Sequence, residues 1–180
     1  MAFAIVKNVG QSPLLMHAFP LLPIEAMEKK PPAEQAELAA YRDPDTHDLY
    51  VPAVAVQRAL VAAAAYSKGK GRASLVKQAA ACLLVTPERL SLGTQTYMVD
   101  SRPVVMPATR GRVLRHRPRL DVWAITYTLE WDERLISEQQ IRRIVDDMGS
   151  RVGLLDFRPE KKGPYGRSVV VSWVNGNNST

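Results

Sequence analysis

The sequence lacks the features that mark an exported or membrane-spanning protein. Cys82 is the only cysteine in 180 residues, so the chain cannot form an internal disulfide. No run of 18 apolar residues is present, and the first residues lack the charged start and apolar core of a secretory signal peptide. These absences predict a cytoplasmic protein that does not enter a membrane. The apolar helical context of Cys82 predicts a buried thiol in the core.

The common signatures of catalysis and cofactor binding are also missing. The chain has no P-loop, no zinc-ligand spacing, no dinucleotide fingerprint and no nucleophile elbow. Its only histidines are His17, His47 and His116, and a cleavage site would need a second group within hydrogen-bond reach of one of them. We therefore predict a non-enzymatic protein with no catalytic residues, cofactor or metal, and keep a ribonuclease as a lesser alternative.

Positive charge is concentrated in the middle third of the chain. Residues 61–120 carry 11 basic and 2 acidic side chains, a balance of +9, whereas residues 1–60 come to −2 and residues 121–180 to −1. A local basic field attracts polyanions and speeds encounter with them. Two basic runs carry this charge, and they consist of Lys68, Lys70, Arg72, Arg110, Arg112, Arg115, Arg117 and Arg119.

The second basic run has the spacing of a charged strand face. Arg115, Arg117 and Arg119 share a parity, so on an extended strand they would point to one side. This pattern favours a groove that tracks phosphates and pairs its cations with aromatic platforms. The candidate platforms are Tyr97, His116 and Tyr165. The alternative is that these arginines form ion pairs with the nearby acidic residues Asp121, Glu130 or Asp132.

A loop rich in glycine and basic residues connects the last predicted helix to the last predicted strand. Its glycines would let the backbone approach a nucleotide chain, and its cations suit phosphates. The alternative is a surface hairpin whose glycines only satisfy the turn. A nucleic-acid interface that uses all three basic segments requires this loop to lie beside the 68–72 turn and the 110–119 strand. The loop's candidate contacts are Lys161, Lys162, Tyr165 and Arg167.

The clearest strand pattern lies at 122–131. Five large side chains alternate there with smaller or polar ones, which predicts a half-buried antiparallel strand of fixed register. The five are Trp123, Ile125, Tyr127, Leu129 and Trp131. Core packing explains this strict alternation better than a base-stacking face does.

The clearest helix pattern lies at 137–148. Ser137 and Gln140 have the spacing of a capping box, and Ile136 and Ile141 that of a hydrophobic staple. Gly149 is predicted to end this helix.

The remaining patterns complete a ferredoxin-like order. Further strands are predicted at 3–9, 94–99, 104–106, 112–117 and 168–174, and further helices at 33–41, 53–67 and 73–84. With the extra elements set aside, the order is βαββαβ, which predicts an α+β fold whose helices cover one face of an antiparallel sheet. We predict a single domain over 1–174, an irregular insertion at about 18–48 where prolines break long elements, and a polar tail at 175–180.

Two segments resemble the RAMP superfamily, the ferredoxin-like RNA-binding proteins of CRISPR systems. Residues 50–64 are similar to its extended segment that ends in proline before a helix with small and basic residues. Residues 153–158 and 163–167 are similar to its glycine-rich basic loop before the final strand, without the tight glycine cluster of those proteins. The resemblance implies a RAMP-like fold and RNA binding.

A second resemblance extends over most of the chain. Residues 13–17, residues 115–118 and the glycine and arginine spacing of 153–167 are similar to a set of uncharacterised phage and prophage proteins. This resemblance implies a viral or prophage origin, and hence a host cytoplasm as the location.

Together these patterns predict a protein that binds single-stranded nucleic acid, either RNA or DNA. Repeated copies would assemble as a filament along the strand or form part of a larger complex. The alternative is a phage structural protein, or an inhibitor that binds a host protein complex through the 18–48 region.

Overall fold

The structure is a computed structural model that describes residues 1–20, 23–69, 73–105 and 110–176. Its helices and strands, in chain order, are β1 (Ala2–Gly10), β2 (Leu14–Leu15), α1 (Ile24–Glu28), α2 (Pro32–Leu38), β3 (Tyr50–Pro52), α3 (Ala53–Ala63), α4 (Val76–Cys82), β4 (Leu84–Thr86), β5 (Arg89–Ser91), β6 (Met98–Val105), β7 (Arg112–Leu120), β8 (Ala124–Trp131), α5 (Glu138–Asp147) and β9 (Ser168–Gly176).

The main sheet has the ferredoxin-like arrangement that the order of elements predicted. Its four strands lie in the order β4-β8-β1-β9, and every neighbouring pair is antiparallel. The connections β1–α3–β4 and β8–α5–β9 supply the two helices that pack on one face of this sheet. The predicted α+β class and βαββαβ order are therefore confirmed.

The core lies between this sheet and its helices, where the alternation of β8 predicted it. The five large side chains from Trp123 to Trp131 are at most 3% exposed. Cys82 is buried as predicted, and burial raises the pKa of its thiol. The structure thus assigns the aromatic face of β8 to packing.

Helix α5 begins as its sequence predicted but ends later. Ser137 and Gln140 form the capping box, and the two isoleucines of the staple are fully buried. The chain continues through a π-helical turn at Met148–Val152 and leaves it at Gly153, which has a φ of 74°. Gly149 is not the stop; it packs against the carbonyl of Ser168, where a Cβ would not fit.

A long hairpin is inserted between the second and third strands of the main sheet. It consists of β6 and β7, and β2 adds to β7 to give a second sheet of order β2-β7-β6. The prediction of two separate strands at 94–99 and 104–106 was wrong, because one strand passes through Pro103. Proline is tolerated there because β6 is an edge strand, with β7 as its one neighbour in the second sheet of the described chain.

Strand β7 also extends beyond its predicted end at Arg117. It passes through Pro118, whose carbonyl accepts a hydrogen bond from the Met16 backbone N–H at 2.9 Å. Helix α2, predicted at 33–41, lies against β6 and β7. None of the helices in the described ranges is long and apolar enough to cross a membrane.

Candidate nucleic-acid interface

The loop at 153–167 is a tightly folded unit docked beside β2. The Leu154 N–H donates to the Gly166 carbonyl at 2.9 Å, and the Tyr165 N–H donates to the Phe157 carbonyl at 3.1 Å. A Cβ on Gly163 or Gly166 would collide with carbonyls of the same loop. These two glycines therefore serve the fold of the loop itself, as the turn interpretation of the sequence proposed.

An aromatic–arginine stack fastens the hairpin to this loop. The Tyr165 ring lies 5.0 Å from the Arg102 guanidinium and 5.7 Å from that of Arg119, and Phe157 packs edge-on against it at 5.8 Å. Arg102 also donates to the Tyr165 hydroxyl at 2.7 Å and to both carboxylate oxygens of Asp100 at 2.6 Å. The stack fixes the loop on the face of β6 and β7 that carries the arginines.

Arg117 makes a second link between hairpin and loop, and it is buried. Its guanidinium pairs with the Asp156 carboxylate, which also lies 3.5 Å from Nδ1 of His17. Burial alone would raise the pKa of Asp156, but the His17 hydrogen bond and the positive charge of Arg117 together hold that pKa below its ordinary value. Only 6% of Arg117 is exposed, so this residue stabilises the site and is not accessible to a phosphate.

An open cleft of about 720 Å³ lies between α3 and the loop. Helix α3 lines this space with two residues that have small side chains, Ala55 and Ala59, and with Arg58. The loop contributes acidic and basic side chains, and the segment after β2 contributes His17 and the exposed ring of Phe19. The remaining lining residues are Tyr41, Gly153, Leu155, Asp156, Arg158, Glu160 and Lys161.

The charges of the cleft divide into paired and unpaired groups. The carboxylate of Glu160 is held by Arg158 at 2.5 Å, and that of Asp156 by Arg117, so both acidic groups already have cationic partners. Arg58 and Lys161 have no ion-pair partner within the described part of the chain. The net excess in the cleft is therefore cationic, which suits a phosphate-bearing ligand.

The strand register confirms that Arg115, Arg117 and Arg119 share one face, but their environments differ. Arg115 lies opposite Arg102 in the ladder and has no ion-pair partner among the described residues. Arg119 pairs with Asp121 at 2.6 Å, which is one of the ion pairs that the sequence offered as an alternative to phosphate contact. Of these three arginines, only Arg115 therefore has a charge that no described residue pairs.

The other predicted contacts lie in three places. Arg110 and Arg112 are exposed where β7 begins, and Lys161 and Lys162 are exposed on the loop. Arg167 donates to the Ser150 carbonyl at 2.5 Å. The backbone carbonyl of Lys68 accepts a hydrogen bond from the Gln140 side chain at 3.4 Å, so Lys68 lies beside the start of α5. Lys70 and Arg72 lie outside the described residues.

Several residues of the site were not predicted from the sequence as contacts. Arg102 was missed because Pro103 appeared to break its strand, although a continuous β6 would have placed Arg102 beside Arg115. Arg58 stood within the alanine-rich helix pattern as a lone cation, and the hydrophobic periodicity gave no sign of which side it faces. Phe19 and Tyr41 carry no local signal, because only the tertiary fold brings them to α3.

Sequence comparisons identify no relatives of this chain. No protein-family model matches it, and no curated protein matches it.

Structural comparison gives a likeness at the level of the fold. A chain in the cryo-EM structure of the Type III-B Cmr-beta bound to cognate target RNA matches with a TM-score of 0.53 and 12% sequence identity. The match covers 97% of this chain and 60% of the other, so this chain spans less than two thirds of the length of that chain. The likeness supports the predicted ferredoxin-like α+β fold.

Proposed function

We propose that this protein binds single-stranded nucleic acid, with RNA as the first candidate and single-stranded DNA as the second, and does not cleave it. The observation that carries the proposal is the cleft beside α3. Arg58 from a helix and Lys161 from a loop, two cations without ion-pair partners among the described residues, line one open space that the exposed Phe19 also lines. Cations beside aromatic rings are the usual means of binding a single strand.

The chemistry of the cleft favours a single strand over a duplex. A base must leave its stack to reach Phe19 or Tyr41, which an unpaired strand allows at little cost. Arg115 and Lys162, both without ion-pair partners in the described ranges, extend the cationic surface to the hairpin and the outer side of the loop. The stack around Tyr165 holds these elements together and is a positioning device for the cations.

The likeness to a chain of an RNA-bound structure supports RNA as the first candidate. We further propose, from the sequence resemblances, a protein of phage or prophage origin whose copies lie side by side along a strand or within a larger complex. Each copy would place its own cleft along the same phosphate backbone.

Binding to a labelled single strand should weaken steeply as salt rises. With about four phosphate contacts, counterion release predicts a loss of about 10- to 100-fold in affinity between about 50 and 200 mM salt. Fluorescence anisotropy with single-stranded RNA, single-stranded DNA and duplex RNA of equal length measures this loss. Affinity that is absent, or independent of salt, would contradict the proposal, and RNA that is cut during the titration would contradict a non-enzymatic role.

A further inference from the structure

The face of the main sheet opposite α3 and α5 has no covering element in the described ranges. On β1 the side chains of Ala4, Val6 and Asn8 point to the helices and are fully buried. The side chains between them point to the other side, and the strand register extends that face across the sheet. The face consists of Phe3, Ile5, Lys7, Val9, Leu84, Thr86, Ala124, Thr126, Thr128, Glu130, Val169, Ser172 and Val174, with the bulged Val171 beside them.

Much of this open face is apolar. Five of its aliphatic side chains are 43–56% exposed, and they are Ile5, Leu84, Val169, Val171 and Val174. The ring of Phe3 lies across Gly176 at one end. An apolar surface of this extent, spread over four strands, is typical of an interaction site.

Among the residues that the structure describes, the open face carries only two charged side chains, and they have opposite signs. Lys7 lies opposite Thr126, and Glu130 lies opposite Phe3, so the two are four residues apart along antiparallel neighbours. At about 3.4 Å per residue this separation is about 14 Å, too far for an ion pair within one chain. Neither has an ion-pair partner in the described part of the chain.

We propose that this open face binds a second copy of the same chain in a closed, two-fold symmetric dimer. The midpoint between Lys7 and Glu130 lies near Ile5 and Thr128, at the centre of the sheet. A two-fold axis can lie over that midpoint, in the plane between two facing sheets and perpendicular to the line from Lys7 to Glu130. Such an axis brings each Lys7 against Glu130 of the partner subunit. In this one interface, Lys7 of each copy pairs with Glu130 of the other copy. The same interface buries the aliphatic side chains of both copies.

The composition of the open face does not suit nucleic acid. It has one cation and one aromatic ring, and that ring is held against Gly176. The dimer would also leave the cleft accessible, because α3 lies on the opposite side of the sheet. The dimer therefore does not depend on the proposed function.

A charge exchange between the two positions tests the dimer. Sedimentation equilibrium of the 20.0 kDa chain, at about 1 to 100 µM, should show wild-type protein as a dimer of twice that mass. Lys7→Glu and Glu130→Lys should each weaken dimerisation about 10-fold or more, because each places like charges together at two points. The double variant Lys7→Glu/Glu130→Lys should restore wild-type dimerisation.

Lys77→Glu on α4 is the matched control, since it makes the same charge change at an exposed position away from the face. It should dimerise as the wild type does. A wild-type protein that stays monomeric over this range overturns the proposal. So does a dimer that the single variants leave unchanged, or one that the double variant fails to restore.

Discussion

Replacing Arg58 and Lys161 together with glutamate should lower the affinity for single-stranded RNA by about 100-fold or more. Each substitution removes a phosphate contact and adds a repulsive charge within the cleft. Both side chains are exposed and lack ion-pair partners among the described residues, so the thermal unfolding of the variant should match that of the wild type. Anisotropy titration at low salt measures the loss.

The matched control reverses two cations that lie outside the cleft lining, Lys77 on α4 and Arg143 on α5. The net charge changes by the same amount, so a general effect of charge would weaken binding equally in both proteins. We expect the Lys77→Glu/Arg143→Glu variant to lose far less affinity. Equal losses of affinity in the two variants would show that the cleft is not the binding site.

Removing the carboxylate of Asp156 should destabilise the fold by about 3 kcal/mol, because a buried cation that loses its partner remains uncompensated. This carboxylate pairs the charge of Arg117, and the Nε atom of Arg117 has no hydrogen-bond partner among the described residues. Urea unfolding of Asp156→Ala against the wild type measures the change.

The double variant Arg117→Met/Asp156→Leu separates the cost of an orphaned charge from the loss of packing. It removes both partners and keeps side chains of similar volume, so it should be much more stable than Asp156→Ala. If the two variants are equally unstable, the ion pair does not hold the hairpin on the loop.

Sequence patterns were sufficient to predict an element where its local preference and its place in the fold favour the same structure. The alternation of β8 and the capping box of α5 predicted both elements and the buried side of each, because burial on one face imposes a period of two or of 3.6 on the chain. The ferredoxin-like order followed from these and from the β1 and β9 patterns. The hairpin was misread at Pro103 and Pro118, because the tolerance of a strand for proline depends on which neighbours it has in the sheet.

The site could be predicted only in part. The shared parity of Arg115, Arg117 and Arg119 gave their common face, but it could not show that Arg117 is buried. That outcome depends on Asp156, which is 39 positions away in the sequence. The cleft likewise combines Phe19, Arg58 and Lys161 from three separate segments. No local sequence pattern indicates that these segments lie together in the fold.

Ultraviolet crosslinking of the protein to a uniform single-stranded RNA, followed by mass spectrometry of the crosslinked peptides, tests most directly whether the strand lies in the cleft. Aromatic side chains in contact with bases form the crosslinks. We predict that they map to peptides containing Phe19, Tyr41 and the 153–167 loop. Crosslinks confined to the open sheet face around Phe3, or none at all under conditions of saturated binding, would contradict the assignment of the cleft.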